Sequence, residues 1–387
     1  MMESNTNSRW ESLDILRGLC IIGMLLNLNP GAWEHEYSWL VHAKWEGGTL
    51  IDMVAPAFLF CIGASIPLSF QNRIKKGFSR ATIARHILLR SFLLVIIGIF
   101  LNAYPVFDWA HVRIPGVLQR IGISFGLVGL FTLFISRQNG NSLRFSAKHI
   151  AAAALFILVS YWVLLYFIPV PGFGAQRFDP VGSWPSYIDR AVFGIPHMFT
   201  YWPVDGKVVF DPDGLLSVYP VCATVLLGVL TGMVYQQNRL KRPALTAFLT
   251  GAALIAAALL LQCICPIIKN IWTGTFVLFS GGFAMVVLAG ITVLLKRAKA
   301  GPVFFPAKVY GANPMLAYLL CWLLMPLLDW AWIPTADGFT NIRYGSQSLL
   351  RTFTNEQFAS FLFSIVYLAL IFGILLVCYR KRWILKL

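Results

Sequence analysis

His42 lies in the run His42-Ala-Lys-Trp-Glu-Gly-Gly-Thr49, and Asp52 follows it at the head of an apolar stretch. A neutral imidazole can take a proton from an attacking amine or hydroxyl, because its pKa lies close to working pH. Around it fall Asn27, Asn29, Trp33, His35, Trp39, Lys44, Trp45, Glu46 and Thr49, the densest group of polar residues beside apolar segments in the chain. Polar and ionisable groups are costly at membrane depth, so each is a functional candidate by default. His42 also fits a plainer role, an interfacial histidine beside an aromatic belt.

Three further clusters stand apart from this one. Asp14 and Arg17, in Ser12-Leu-Asp-Ile-Leu-Arg-Gly18, share one helical face and are spaced to pair, either structurally or as part of a site. Arg113-Ile-Pro-Gly-Val-Leu-Gln-Arg120 places Pro115 at a helix start. Arg113, Gln119 and Arg120 are then donors suited to phosphate or carboxylate, or to lipid headgroups. Asp211-Pro-Asp-Gly214 precedes one apolar run, and Lys269, Trp272 and Thr273 precede another; these line the same mouth or cap helices.

Such residues need a scaffold, and composition says it is helices in lipid. The chain has 387 residues, 58% hydrophobic and 12% charged, with a mean hydropathy of +0.71, whereas soluble domains are about a quarter charged. Its apolar stretches approach the roughly 20 residues that a helix needs to cross about 30 Å of hydrocarbon. The runs 150–170 and 244–261 lack the alternation of barrel strands. Apolar runs predict helices near 13–29, 52–70, 83–103, 115–135, 149–169, 215–235, 244–264, 274–295, 309–328 and 358–379. The expectation is an all-α polytopic membrane protein of about ten transmembrane helices, one integral-membrane domain over 1–387. The first stretch lacks a small-residue cleavage site and opens among mixed charges, so it reads as a span rather than a secretory signal.

Placing both termini in the cytoplasm collects most basic residues on one side: Arg9 and Arg17, then Arg73 to Arg90, Arg137 to Lys148, Arg239/Lys241/Arg242, Lys296/Arg297/Lys299/Lys308 and Arg380/Lys381/Arg382/Lys386. Of the 16 acids only Glu3, Glu11 and Asp14 share that side. The net charge of +15 is therefore explained by anionic lipid. No loop interleaves aromatic and basic residues as a nucleic-acid surface does, so no nucleic-acid partner is expected. Cys20, Cys61, Cys222, Cys263, Cys265, Cys321 and Cys378 all fall in or beside apolar stretches, which argues against disulfides and against a metal site. The outward loops 170–214 and 329–357, rich in Trp, Tyr, Asp and Pro without a helical period, predict a capped vestibule for a polar substrate.

In order along the chain, Ser12 to Gly18, His42 to Thr49 with Asp52 and Pro56, Arg113 to Arg120, Asp211-Pro-Asp-Gly-Leu-Leu-Ser217, Lys269-Asn-Ile-Trp-Thr273 and Gly311-Ala-Asn-Pro314 form a set. It resembles the heparan-alpha-glucosaminide N-acetyltransferase family and its bacterial NagX-like relatives, from about residue 9 to the final helix. The resemblance implies transfer of acetyl from cytoplasmic acetyl-CoA, as co-substrate, to a glucosamine-like amino sugar or oligosaccharide. For a bacterial member it also implies an inner membrane with the active-site mouth facing the periplasm, and a homodimer. The family's catalytic histidine, in its His-Ala-x-Trp motif, matches His42. Its essential asparagine aligns without a gap on Leu28, between Asn27 and Asn29, with Asn29 the better match. Glu46 stands where relatives often carry asparagine or histidine, which bears on acceptor choice.

The chemistry expected has His42 as general base toward a neutral acceptor amine, with Asn29 or Asn27 orienting the reactants or supporting the oxyanion. An acetyl-histidine intermediate is the covalent variant. Trp45, Glu46, Asp52, Asp14, Arg17, Arg113, Gln119, Arg120, Asp211, Lys269, Trp272 and Asn313 are the expected substrate- or CoA-binding residues. The alternative class is a transporter or flippase of a sugar or lipid-linked sugar, which helices with intramembrane polar residues would also serve.

Overall fold

The computed structural model describes residues 10–236, 242–296, 301–335 and 338–385. Glu3, Arg9, Arg239, Lys241, Arg297, Lys299 and Lys386, counted above among the loop charges, lie outside the described residues. The helices are α1 Glu11–Leu28, α2 Val54–Lys75, α3 Arg80–Ala103, α4 Val117–Ile135, α5 Ala147–Phe167, α6 Trp184–Val192, α7 Val218–Gln236, α8 Pro243–Leu261, α9 Gly274–Leu294, α10 Phe305–Ala312, α11 Pro314–Asp329, α12 Ile342–Arg351 and α13 Glu356–Arg380. Two antiparallel hairpins, Arg137–Asn139 with Ser142–Arg144 and Ala331–Thr335 with Gly338–Asn341, and the short 3-10 helices Trp33–His35, Ile51–Met53 and Ile195–His197 are also present among the described residues.

Among the described residues, eight helices are long and apolar enough to cross a membrane, and the bent pair α10–α11 raises that to nine. The remaining helix of the expected ten is α1, whose 18 residues include Glu11, Asp14 and Arg17 in the N-terminal half. Side chains start several helices as their chemistry dictates. Ser79 accepts from the Thr82 amide ahead of α3, Asn341 from Tyr344 ahead of α12, and Asn355 from Phe358 ahead of α13, each satisfying an otherwise orphaned N–H.

The structure departs from the expected elements in two places. The span near 309–328 is not one helix: it breaks at Asn313 with an 84° bend, and Asn313 leaves helical geometry at φ −131°. Proline disfavours helical conformation in the residue before it but suits a first helical position, so the helix stops at Asn313 and restarts at Pro314. The loops 170–214 and 329–357 do contain helices, α6 and α12. Both are short and turn polar residues inward, Ser186 and Asp189 on α6 and Arg343 and Gln347 on α12.

The chain forms two compact units. The first comprises the described residues of Met1–His42, Thr49–Phe58 and Val287–Lys386; the second comprises those of Ala43–Gly48 and Leu59–Val286. In the first unit α1 crosses α10 at glycine contacts: a Cβ on Gly18 would run into the Ala307 carbonyl, and one on Gly311 into that of Asp14. Small residues permit such close approach where lipid supplies no hydrophobic drive between helices. Ile21, Leu25, Val309, Tyr310, Cys321 and Ile371 centre the core there, with the Tyr310 hydroxyl donating to the Leu368 carbonyl at 2.7 Å. In the second unit α3 packs on α4, and both α4 and α5 on α7. Its core joins Tyr161 and Leu165 to Ile268 and Ile271, and the Tyr161 hydroxyl donates to the Ile271 carbonyl at 2.6 Å.

Candidate active site

The segment between α1 and α2 brings His42 back onto the head of α2. His42 Nδ1 lies 2.6 Å from Asp52 Oδ1. The Asp52 side chain is fully buried while that of His42 keeps 21% exposure. The other carboxylate oxygen, Oδ2, accepts from the Thr49 amide at 2.9 Å and the Thr49 hydroxyl at 3.0 Å. Thr49 and Asp52 thus form half of a capping box, in which a side chain three positions into the helix turns back to an unsatisfied N–H. Donation from Nδ1–H to Asp52 leaves Nε2 as the basic nitrogen of the ring.

The two asparagines have different settings. Asn27 donates from Nδ2 to the Leu40 carbonyl at 3.0 Å, which ties the end of α1 to the backbone just ahead of His42. Asn29 is fully buried. Its Nδ2 donates to Cys321 Sγ at 3.0 Å and its Oδ1 accepts from Arg343 Nη2 at 3.3 Å. Arg343 also donates from Nε to Asp329 Oδ1 at 2.6 Å and from Nη1 to the Pro30 carbonyl. Sequence reasoning passed over Arg343 because the loop carrying it was read as irregular. The available signal was Asn341 as a helix cap, followed by Arg343 and Gln347 one turn apart.

In the second unit Arg113, Arg120, Asp211 and Asp213 form a charge-balanced cluster. Arg113 grips Asp211 through Nε to Oδ2 at 2.9 Å and Nη2 to Oδ1 at 2.5 Å, and reaches Asp213 Oδ2 at 3.0 Å. Arg120 pairs with Asp213 Oδ1 at 3.2 Å, donates to Ser217 Oγ at 2.7 Å, and lies 4.8 Å over the Trp272 ring. Burial opposes the charge on Arg113, but the hydrogen bonds and charge of Asp211, then Asp213, raise its pKa above the ordinary arginine range. Burial likewise works against ionised Asp213, yet Arg120, Arg113 and Lys269 hold it below the usual carboxylate value. These donors, expected to meet phosphate or carboxylate, therefore have the chain's own aspartates as partners. Asp189, which the sequence did not single out, accepts from the Leu215 amide at 2.8 Å. Burial, with Asp211 adding to it, pushes its carboxyl up to about 7.

The other expected residues fall in local roles. Gln119 donates to the Ile114 carbonyl at 2.9 Å. Trp272 is buried, holds the rare φ of 53° for a bulky residue, and donates to Thr224 Oγ1 at 3.1 Å. Trp45 donates to the Phe178 carbonyl at 2.8 Å, and Glu46 bridges to Ile268. Arg17 pairs with Asp14 at 3.0 Å, as their spacing suggests, and reaches the Gly311 carbonyl at 3.5 Å. Asn313 donates to the Trp383 carbonyl at 2.7 Å and accepts from the Leu385 amide at 3.0 Å. Among the described residues, no group of three or more His, Cys, Asp or Glu is placed to hold a metal ion.

The profile of the family described as heparan-alpha-glucosaminide N-acetyltransferase, catalytic, matches residues 9–263. The chain is 29% identical to the heparan-alpha-glucosaminide N-acetyltransferase of Mus musculus over 355 residues, 81% of this chain and 53% of the relative. It is 30% identical to that of Homo sapiens over 354 residues, 80% of this chain and 52% of the relative. It spans about half the length of the curated relatives it matches. The matched stretch contains His42, Asp52 and the Arg113–Asp211 cluster, and the chain belongs to the heparan-alpha-glucosaminide N-acetyltransferase catalytic family.

Proposed function

We propose that this protein is a membrane-embedded acetyltransferase that moves acetyl from acetyl-CoA to the amine of an amino sugar. The observation that carries the reading is the His42–Asp52 pair at 2.6 Å. The acceptor amine must be neutral to attack the thioester carbonyl. As the C–N bond forms, His42 Nε2 takes the amine proton, the C–S bond breaks, and the CoA thiolate leaves and is protonated. Asp52 keeps Nδ1–H in place and offsets the charge of the imidazolium, so the base is oriented before substrate arrives. Asn27 holds the backbone that presents the ring, and Asn29 fixes the end of α1 through Arg343. Direct transfer needs only these groups.

Donor and acceptor enter from opposite sides in this reading. The basic loops support cytoplasmic termini and a donor path from the cytoplasm, near Asp14, Arg17 and Asn313. In a bacterial membrane the His42 end then faces the periplasm. Within the second unit, Arg113, Arg120, Asp211 and Asp213 form a rigid cluster, because their charges are already matched. The bent pair α10–α11 is the feature a transporter reading would use. Its hinge at Asn313 is nevertheless tied on both polar atoms to the C-terminal segment, which favours a fixed element over a moving gate.

The test is acetylation of a panel of amino sugars by the purified protein with acetyl-CoA, read as the mass gain of one acetyl group. Wild type should acetylate at least one amine, and His42→Ala should abolish turnover while keeping thermal stabilisation by CoA. Turnover by His42→Ala at the normal rate would sink the mechanism.

A further inference from the structure

The segment leading to His42 carries an aromatic and acidic surface that the acyl-transfer chemistry does not use. Tyr37 and Trp39 stack with ring centroids 6.1 Å apart and planes 16° from parallel. Both rest edge-on against Phe361 of α13, at 5.8 and 5.9 Å. Phe361 props the two rings, yet Trp39 keeps 43% exposure. Glu34 and Glu36 lie just ahead of these aromatics. Glu36 closes a cavity of ≈ 10 Å³ with Tyr37, Leu40 and Phe361, room for about one water. Its Oε1 is buried without a hydrogen-bond partner, and burial pushes its carboxyl up to about 7. A water in that cavity would supply the donor Oε1 lacks, which leaves Oε2 as the carboxylate oxygen for a ligand.

The surface is preformed. Asn27 holds the Leu40 carbonyl, the Ala32 amide donates to Ser360 Oγ at 2.9 Å, and His35 Nε2 lies 2.9 Å from Glu356 Oε2. Three positions separate Trp39 from His42, a chain reach of at most about 11 Å. A ring stacked on Trp39 therefore stays within an oligosaccharide's reach of the imidazole. A pyranose presents an apolar C–H face inside a rim of hydroxyls, which matches a rigid, half-exposed indole. An ammonium on that sugar is drawn both to the π-face and to a carboxylate. Tryptophans of an interfacial belt face lipid headgroups, and nothing in that role calls for acids at 34 and 36.

We infer that Tyr37, Trp39 and Glu36 form the acceptor-recognition subsite, which first takes an amino-sugar ring in its ammonium form; the ammonium releases a proton to solvent before the neutral amine attacks at His42. The inference rests on the proposed acetyl transfer and deepens it by saying where the acceptor is read. The test uses the full-length protein in detergent with a glucosamine-terminated disaccharide and its N-acetylated, neutral counterpart. Tryptophan fluorescence reads binding, and initial rates give KM for acceptor and for acetyl-CoA separately. Trp39→Ala should raise the acceptor KM about tenfold while the acetyl-CoA KM stays within about twofold, and Trp39→Phe should recover most of the loss. Glu36→Gln should weaken the cationic disaccharide about fivefold and leave the neutral one as it was.

If wild type acetylates the disaccharide and Trp39→Ala leaves its KM and binding unaltered, the subsite is wrong and the acetyltransferase reading stands. If wild type transfers no acetyl yet binds the disaccharide through Trp39, the reaction is wrong and the subsite stands. A Trp39→Ala protein that loses stability in lipid nanodiscs but binds acceptor normally assigns the rings to lipid and overturns the inference.

Discussion

Arg343 on α12 meets Asn29 at the end of α1 across 314 positions of sequence, Nη2 to Oδ1 at 3.3 Å. The same guanidinium holds the Pro30 carbonyl and both oxygens of Asp329, so one side chain joins the ends of α1 and α11 to α12. Arg343→Ala leaves two buried acceptors, Asn29 Oδ1 and the Pro30 carbonyl, without a donor, and should cost about 2 kcal/mol or more. Arg343→Lys should recover less than half, because an ammonium cannot reproduce the planar fork. Thermal unfolding in detergent checks both, and an unchanged midpoint for Arg343→Ala would refute the assignment.

Asp52→Asn keeps the size of the side chain and changes the proton inventory. The two Thr49 donors require the amide oxygen on their side, which turns the Asn NH2 toward His42 Nδ1. The ring must then accept at Nδ1 and carry its proton on Nε2, where the base is needed. Turnover should fall by about 10² or more with the thermal midpoint little altered. A variant that retains full kcat would show that Asp52 does not set the tautomer.

Asp189 makes stability depend on pH. Its carboxyl is raised from 3.8 to about 7, chiefly by burial. The folded protein therefore binds more protons than the unfolded chain between these values. Stability from this group is complete below about 4, declines as pH rises toward 7, and is lost above it. Asp189→Asn should flatten that decline and raise stability at pH 8 by up to about 4 kcal/mol. Midpoints measured from pH 5 to 8 decide the matter; parallel curves for the variant and wild type would contradict it.

Gly18 and Gly290 should respond oppositely to alanine. The Gly18 Cβ would overlap the Ala307 carbonyl, a backbone atom that cannot yield without moving α10, at a cost of about 1–3 kcal/mol. The Gly290 Cβ meets nothing within 4 Å, so alanine there should be neutral or stabilise by about 0.5–1 kcal/mol through helix propensity. Equal midpoints for the two variants would mean that the α1–α10 crossing is not tight.

Hydrophobicity is a local property, and what depends on it alone was readable from the chain: helices for lipid, their approximate ends, and the basic loops that bias orientation. The Asp14–Arg17 pair was equally legible, since residues three apart on a helix must be neighbours. The order of motifs pointed to the family. Tertiary structure alone decided which charges are already matched. Arg113 and Asp211 stand 98 positions apart, so no periodicity reveals that this arginine's partner is an aspartate of its own chain. It also decided that Asp52 is the partner of His42, which needed the intervening segment to fold back, and that α6 and α12 are helices turning polar residues inward. The physical reason is common to all three. A hydrogen bond between distant residues depends on where the backbone brings two side chains, whereas burial in lipid is dictated stretch by stretch.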